Sequence, residues 1–149
     1  MTDTARVLLT AAVLSLSAFA TFAWRVTRFD ASQPERLIGE LRLAQWAALL
    51  LAATGAAGIG FAASHAEVLT GTVDVTIAVG CVALAGVVLL REPRTGLLVA
   101  ALGLLGHAIA DVSHRPGWLS VDLVPRWYVV GCAIWDLAVA AVCVWARRR

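Results

Sequence analysis

The stretch VLTGTVDVTIAVGCVALAGVVLL, Val68 to Leu90, carries a single charged residue, Asp74, in a run that is otherwise apolar or small and neutral. About 20 such residues in a helix, rising ~1.5 Å each, cross the ~30 Å hydrocarbon core of a bilayer. Four further segments have the same character: Val7 to Trp24, Leu43 to Ala63, Thr95 to Val112 and Arg126 to Ala146. The pattern predicts an all-α fold, a polytopic bundle of five transmembrane helices forming one integral membrane domain over residues 1–149. The spans take up most of the chain and leave no room for a soluble domain.

Composition agrees. Of 149 residues, 60% are hydrophobic and 15% charged, and the mean hydropathy is +0.83. A soluble domain averages about 25% charged residues. The balance excludes a disordered chain, an ordinary soluble globule and a basic nucleic-acid-binding module. All 12 basic residues are Arg. Without Lys there is no Schiff-base lysine, no P-loop lysine and no Ser-Lys dyad. Cys81, Cys132 and Cys143 lie inside apolar runs and read as small buried hydrophobes.

Charge asymmetry gives the orientation. With five spans, Arg25, Arg28, Arg36, Arg42, Arg91, Arg94, Arg147, Arg148 and Arg149 share one side, and Arg6, Arg115 and Arg126 the other. The positive-inside rule places the first set in the cytoplasm, with the N-terminus outside and the C-terminus inside. Cleavage of the first span as a signal would put the Arg-rich first loop outside, against the rule, so the first helix is read as retained.

Connections carry their own signals. Ser32 and Glu35 have capping-box spacing, with Pro34 in the first turn. Leu37, Ile38 and Leu41 continue at helical spacing, so the second helix is expected to begin near Gln33. Arg91-Glu92-Pro93-Arg94 reads as a tight turn, Pro116-Gly117 as an outer turn, and Pro125 as the opening of the fifth helix. Trp24 and Trp145 at one interface, with Trp118, Trp127 and Tyr128 at the other, form an aromatic belt. His65, Glu67 and Asp122 read as loop residues. Ala52, Ala56 and Gly60 recur every four residues, which suits internal helix packing or a homo-oligomer interface.

Ionisable side chains inside a span are costly and usually face the bundle interior. His107, Asp111 and His114 share a face of the fourth helix at i, i+4, i+7. Tyr128, Cys132, Asp136 and Cys143 form a stripe on the fifth. The short hairpin makes these helices antiparallel neighbours, which brings His107 near Asp136 and Tyr128 near Asp111 or His114. Thr70, Asp74 and Cys81 share a face of the third helix. Three readings compete. Asp–His and Asp–Tyr bonds would lock the bundle, at ~0.6 kcal/mol each. A divalent metal such as zinc would take His107, Asp111, His114 and Asp136 as ligands, with Asp74, Tyr128, Cys132 and Arg126 around them. Its bound water would suit hydrolysis. An Asp–His chain would relay protons or a small solute.

Gly106-His107, Asp111, His114, Pro125-Arg126-Trp127-Tyr128, Cys132 and Trp135-Asp136-Leu137 carry a resemblance to small uncharacterised polytopic inner-membrane proteins of bacteria. It covers Gly106 to Trp145 and implies an inner-membrane location without an activity. The His-and-Asp set is also similar in type to that of the seven-helix ceramidase and adiponectin-receptor-like membrane hydrolases. This chain has two helices fewer and only three His.

Overall fold

The computed structural model describes residues 3–64, 72–114 and 125–149. His65, Glu67, Arg115, Trp118, Asp122 and the Pro116-Gly117 turn lie outside the described residues. Five helices follow in order: α1 (Asp3–Val26), α2 (Pro34–Ser64), α3 (Thr72–Leu90), α4 (Pro93–Val112) and α5 (Arg126–Arg148). All five are long and apolar enough to cross a membrane. The chain is a multi-pass, all-helical membrane protein.

Prolines set three of the starts. α2 begins at Pro34, so Gln33 flanks it and Ser32 lies one residue further out than a capping box requires. α4 begins at Pro93, whose missing N–H costs nothing in a first turn, and Glu92 precedes it as cap. Pro125 precedes α5.

The helices pack chiefly as two antiparallel pairs, α2 with α3 and α4 with α5; α3 and α2 both contact α4. α1 is peripheral. It buries only Ala5, Phe19, Ala23 and Val26 and leans on α5 and α2. Trp135 of α5 donates its indole N–H to the Ala12 carbonyl at 3.1 Å, a tie between α1 and α5. That bond satisfies a donor for which hydrocarbon offers no partner. Phe19, Leu43, Ala47, Leu51, Val88, Leu97, Leu104, Val139 and Cys143 form the core. Val7, Leu14, Leu49, Val79, Leu102, Ile109 and Ile134 point outward. An exposed apolar shell around a buried core is what lipid contact requires.

Glycine sets the closest approach. A Cβ on Gly55 would lie 2.5 Å from the Ala78 carbonyl oxygen and 3.0 Å from the Cys81 Cβ, so α2 and α3 meet there backbone to backbone. The small residues expected to make one contact face divide. Gly55 faces α3, whereas Ala56 and Gly60 are exposed and Ala52 is half-buried.

Near the start of α4 lies a charged network whose inner pair, Arg36 and Glu40, is buried. Arg36 is 3% exposed. Its Nε donates to Glu40 at 2.7 Å, and its Nη1 to the Val26 carbonyl at 3.0 Å. The guanidinium thus caps the C-terminal end of α1, where the helix dipole favours a cation. Glu40 also accepts from Arg94 at 3.2 Å and 3.4 Å.

Candidate functional site

α4 and α5 turn their polar stripes toward each other. Asp136, midway along α5, is fully buried, and Asp111 is 7% exposed. His107 lies one turn before Asp111 on the same face of α4. His107 Nδ1 is 2.8 Å from Asp136 Oδ2 and 3.4 Å from Asp111 Oδ2. A ring nitrogen has one proton to give, and the shorter contact takes it. Asp111 Oδ2 is left buried with no hydrogen-bond partner. Cys132, one turn before Asp136, sets its Sγ 3.9 Å from Asp136 Oδ2.

The His107, Asp111, Cys132 and Asp136 donor atoms all lie within 4.8 Å of one another. Donors around a tetrahedral zinc ion, bonded at about 2.0–2.3 Å, stand roughly 3.3–3.6 Å apart. Three of the donor pairs, at 2.8, 3.4 and 3.9 Å, lie on either side of that spacing, and the others lie within 4.8 Å. One imidazole, one thiol and two carboxylates match the donor types of a borderline-soft cation. The unpartnered Asp111 oxygen gives such an ion an acceptor that nothing else uses. The four residues therefore fit a divalent metal.

The spacing puts His114 in the ligand set, and the structure places it elsewhere. Its Nε2 meets Asp74 Oδ1 of α3 at 2.8 Å, and its Nδ1 lies 3.1 Å from the Ala110 carbonyl. Both ring nitrogens are occupied, so none is free to ligate. A carbonyl only accepts, so Nδ1 carries a proton, and Asp74 faces the other nitrogen. Asp74, expected beside the ligands, pairs with His114 and lines the same cavity as His107 and Asp111. Cys132, assigned to the surroundings by its sequence position, stands among the donors; its i, i+4 offset from Asp136 was the available signal.

Tyr128 lines the same cavity as Asp111 and His114 and packs edge-on against Phe61 of α2, centroids 4.7 Å apart. Arg126 is exposed, and among the described residues no ion pair joins it to Asp111. Cys143 sits in the apolar core rather than at the site. Thr54 of α2 is a partner that sequence reading misses. Its hydroxyl donates to the Leu50 carbonyl at 3.0 Å and reaches Asp136 Oδ1 at 3.5 Å. A threonine in an apolar helix has no distinguishing local signal, because the bond joins residues far apart in sequence.

No family model matches this chain, and neither does any curated protein or solved structure.

Proposed function

We propose that this chain is a membrane metalloprotein that binds one divalent transition-metal ion, of the zinc class, through His107, Asp111, Cys132 and Asp136. The observation that carries this reading is the convergence of four chemically suited donors within 4.8 Å between two helices, Asp111 and Asp136 buried and His107 and Cys132 partly so. Buried carboxylates without compensation are expensive. Asp111 and Asp136 face one imidazole, and a divalent cation supplies the missing positive charge. Binding would displace the proton shared by His107 and Asp136, and that on the Cys132 thiol.

The Arg distribution supports an orientation with the metal site in the half of the bundle facing away from the cytoplasm. The location proposed is a bacterial inner membrane.

Purified protein, loaded with zinc and dialysed, is expected to retain one equivalent per chain. The His107→Ala/Asp111→Ala double variant is expected to retain none. Equal metal content in the two would overturn the reading. It would leave the alternative favoured by the 2.8 Å His107–Asp136 and His114–Asp74 contacts: polar residues that only tie helices together.

A further inference from the structure

The four donors are not equivalent with respect to free space. A cavity of about 40 Å³ lies beside the group. It has room for two or three waters, since one needs roughly 10–15 Å³ on this measure. His107 and Asp111 line it, whereas Cys132 and Asp136 do not. The donor set therefore has a back, made by α5, and a front that opens on a space large enough for another ligand.

The front is polar. Asp74, His114 and Tyr128 line the same cavity, with Ile77 and Ala110 on its apolar walls. Asp111 Oδ2 and Asp74 Oδ2 are both buried and without a hydrogen-bond partner. A small ligand in a buried cavity needs two to four polar contacts to remain there. With the Asp111 oxygen committed to the ion, Asp74 Oδ2 and the Tyr128 hydroxyl offer that number.

Four protein ligands fill a tetrahedral zinc shell, and an ion that takes a further ligand does so by expanding to five-coordinate. A site built only to staple α4 to α5 has no use for ligand-sized space beside two of its donors. Resting on the metal reading above, we infer that the ion has an exchangeable fifth coordination position on the His107–Asp111 side. That position faces the cavity and accepts a small ligand that brings a proton for the Asp74 carboxylate: water, or the conjugate acid of an anion of a few atoms. The centre is therefore of the reactive kind, and the cavity sets the size of what reaches it.

Cobalt-loaded protein tests this directly. A thiolate-to-cobalt charge-transfer band reports the ion on Cys132, and the visible d–d bands report its coordination. Azide is expected to shift the d–d bands saturably in the wild type. Ala110→Leu places three more carbons on the cavity wall without replacing a donor. It is expected to keep the thiolate band and to weaken the azide response at least tenfold. Ile77→Phe provides the same test if Ala110→Leu fails to fold. A thiolate band with no azide response in the wild type would mean a closed site and would overturn the inference. An undiminished response in a folded, cavity-filled variant would overturn its assignment to the cavity. Absence of the thiolate band would instead be the failure of the metal reading itself, and the inference would fall with it.

Discussion

Toward one end of the bundle Arg36, Glu40 and Arg94 hold one another; toward the other, His107, Asp111, Cys132 and Asp136 converge without using up their bonding capacity. In the first group Glu40 sits between two guanidiniums, and the Val26 carbonyl takes a further N–H. One N–H group, at Arg36 Nη2, is left over. In the second group, two carboxylates compete for one imidazole nitrogen, and Asp111 Oδ2 goes without. A cavity adjoins the second group. The difference separates two uses of buried charge. Opposite charges bonded to one another fix helix positions, while two carboxylates on one imidazole beside free space are an arrangement that a cation would complete.

The largest expected effect breaks the matched group. Glu40→Ala leaves Arg36 buried and uncompensated, a loss that costs about 3–5 kcal/mol. Thermal unfolding in detergent should show it, with metal content per folded chain unchanged. A variant as stable as the wild type would mean that the Arg36 group fixes nothing.

Asp136→Asn is the counterpart at the other end. The amide keeps the shape, its oxygen still accepts from His107 and its N–H faces the Thr54 hydroxyl oxygen, so the fold should persist. Metal affinity should fall by about a hundredfold or more, beyond the ~10–100-fold typical of residues that only support a ligand. Isothermal titration with zinc measures it. If Asp136→Asn unfolds the protein yet binds zinc normally when folded, the two ends exchange roles and the comparison fails.

Much of this contrast was legible in the sequence, and the limit is physical. Five spans followed from length and apolarity alone. The facing of His107 and Asp136 followed from helical periodicity and a short hairpin. The choice His114 makes was not legible. It depends on the rotation of α3 about its axis, which brings Asp74 within reach of a ring that α4 alone would aim toward Asp111. Glu40 and Arg94 were likewise readable only as charges near the membrane surface. They are 54 residues apart, and their pairing is set by how α2 crosses α4. Local spacing predicts which face a side chain occupies. It does not say which neighbour from another helix arrives there.

A smaller effect sharpens the account of the metal end. Thr54 is 3.5 Å from Asp136, a long contact, and its hydroxyl is shared with Leu50. Thr54→Val keeps the volume and removes the hydroxyl. Zinc affinity should fall about tenfold, the lower bound for supporting residues, with little change in stability. A loss as large as that of Asp136→Asn would place Thr54 among the ligands.

The smallest effect is expected from Arg94→Ala, and it tests whether the matched group has an order within it. The Arg94 side chain is 45% exposed, and its contacts with Glu40 are 3.2 and 3.4 Å. Arg36 holds the same carboxylate at 2.7 Å and is almost wholly buried. Removing Arg94 leaves that inner pair intact and returns one edge of Glu40 to solvent or headgroups. Exposed ion pairs contribute about 0–1 kcal/mol, and the loss should fall there, well below that of Glu40→Ala. Paired melting curves of the two variants give the ratio. A ratio near one would make the three residues a single cooperative unit, with Arg94 as necessary as Arg36. A large ratio would make Arg36–Glu40 the fixed element, to which α4 attaches by a weaker outer contact. In that case the two ends of α4 differ in kind, loosely held at Arg94 and centred on the site at His107 and Asp111.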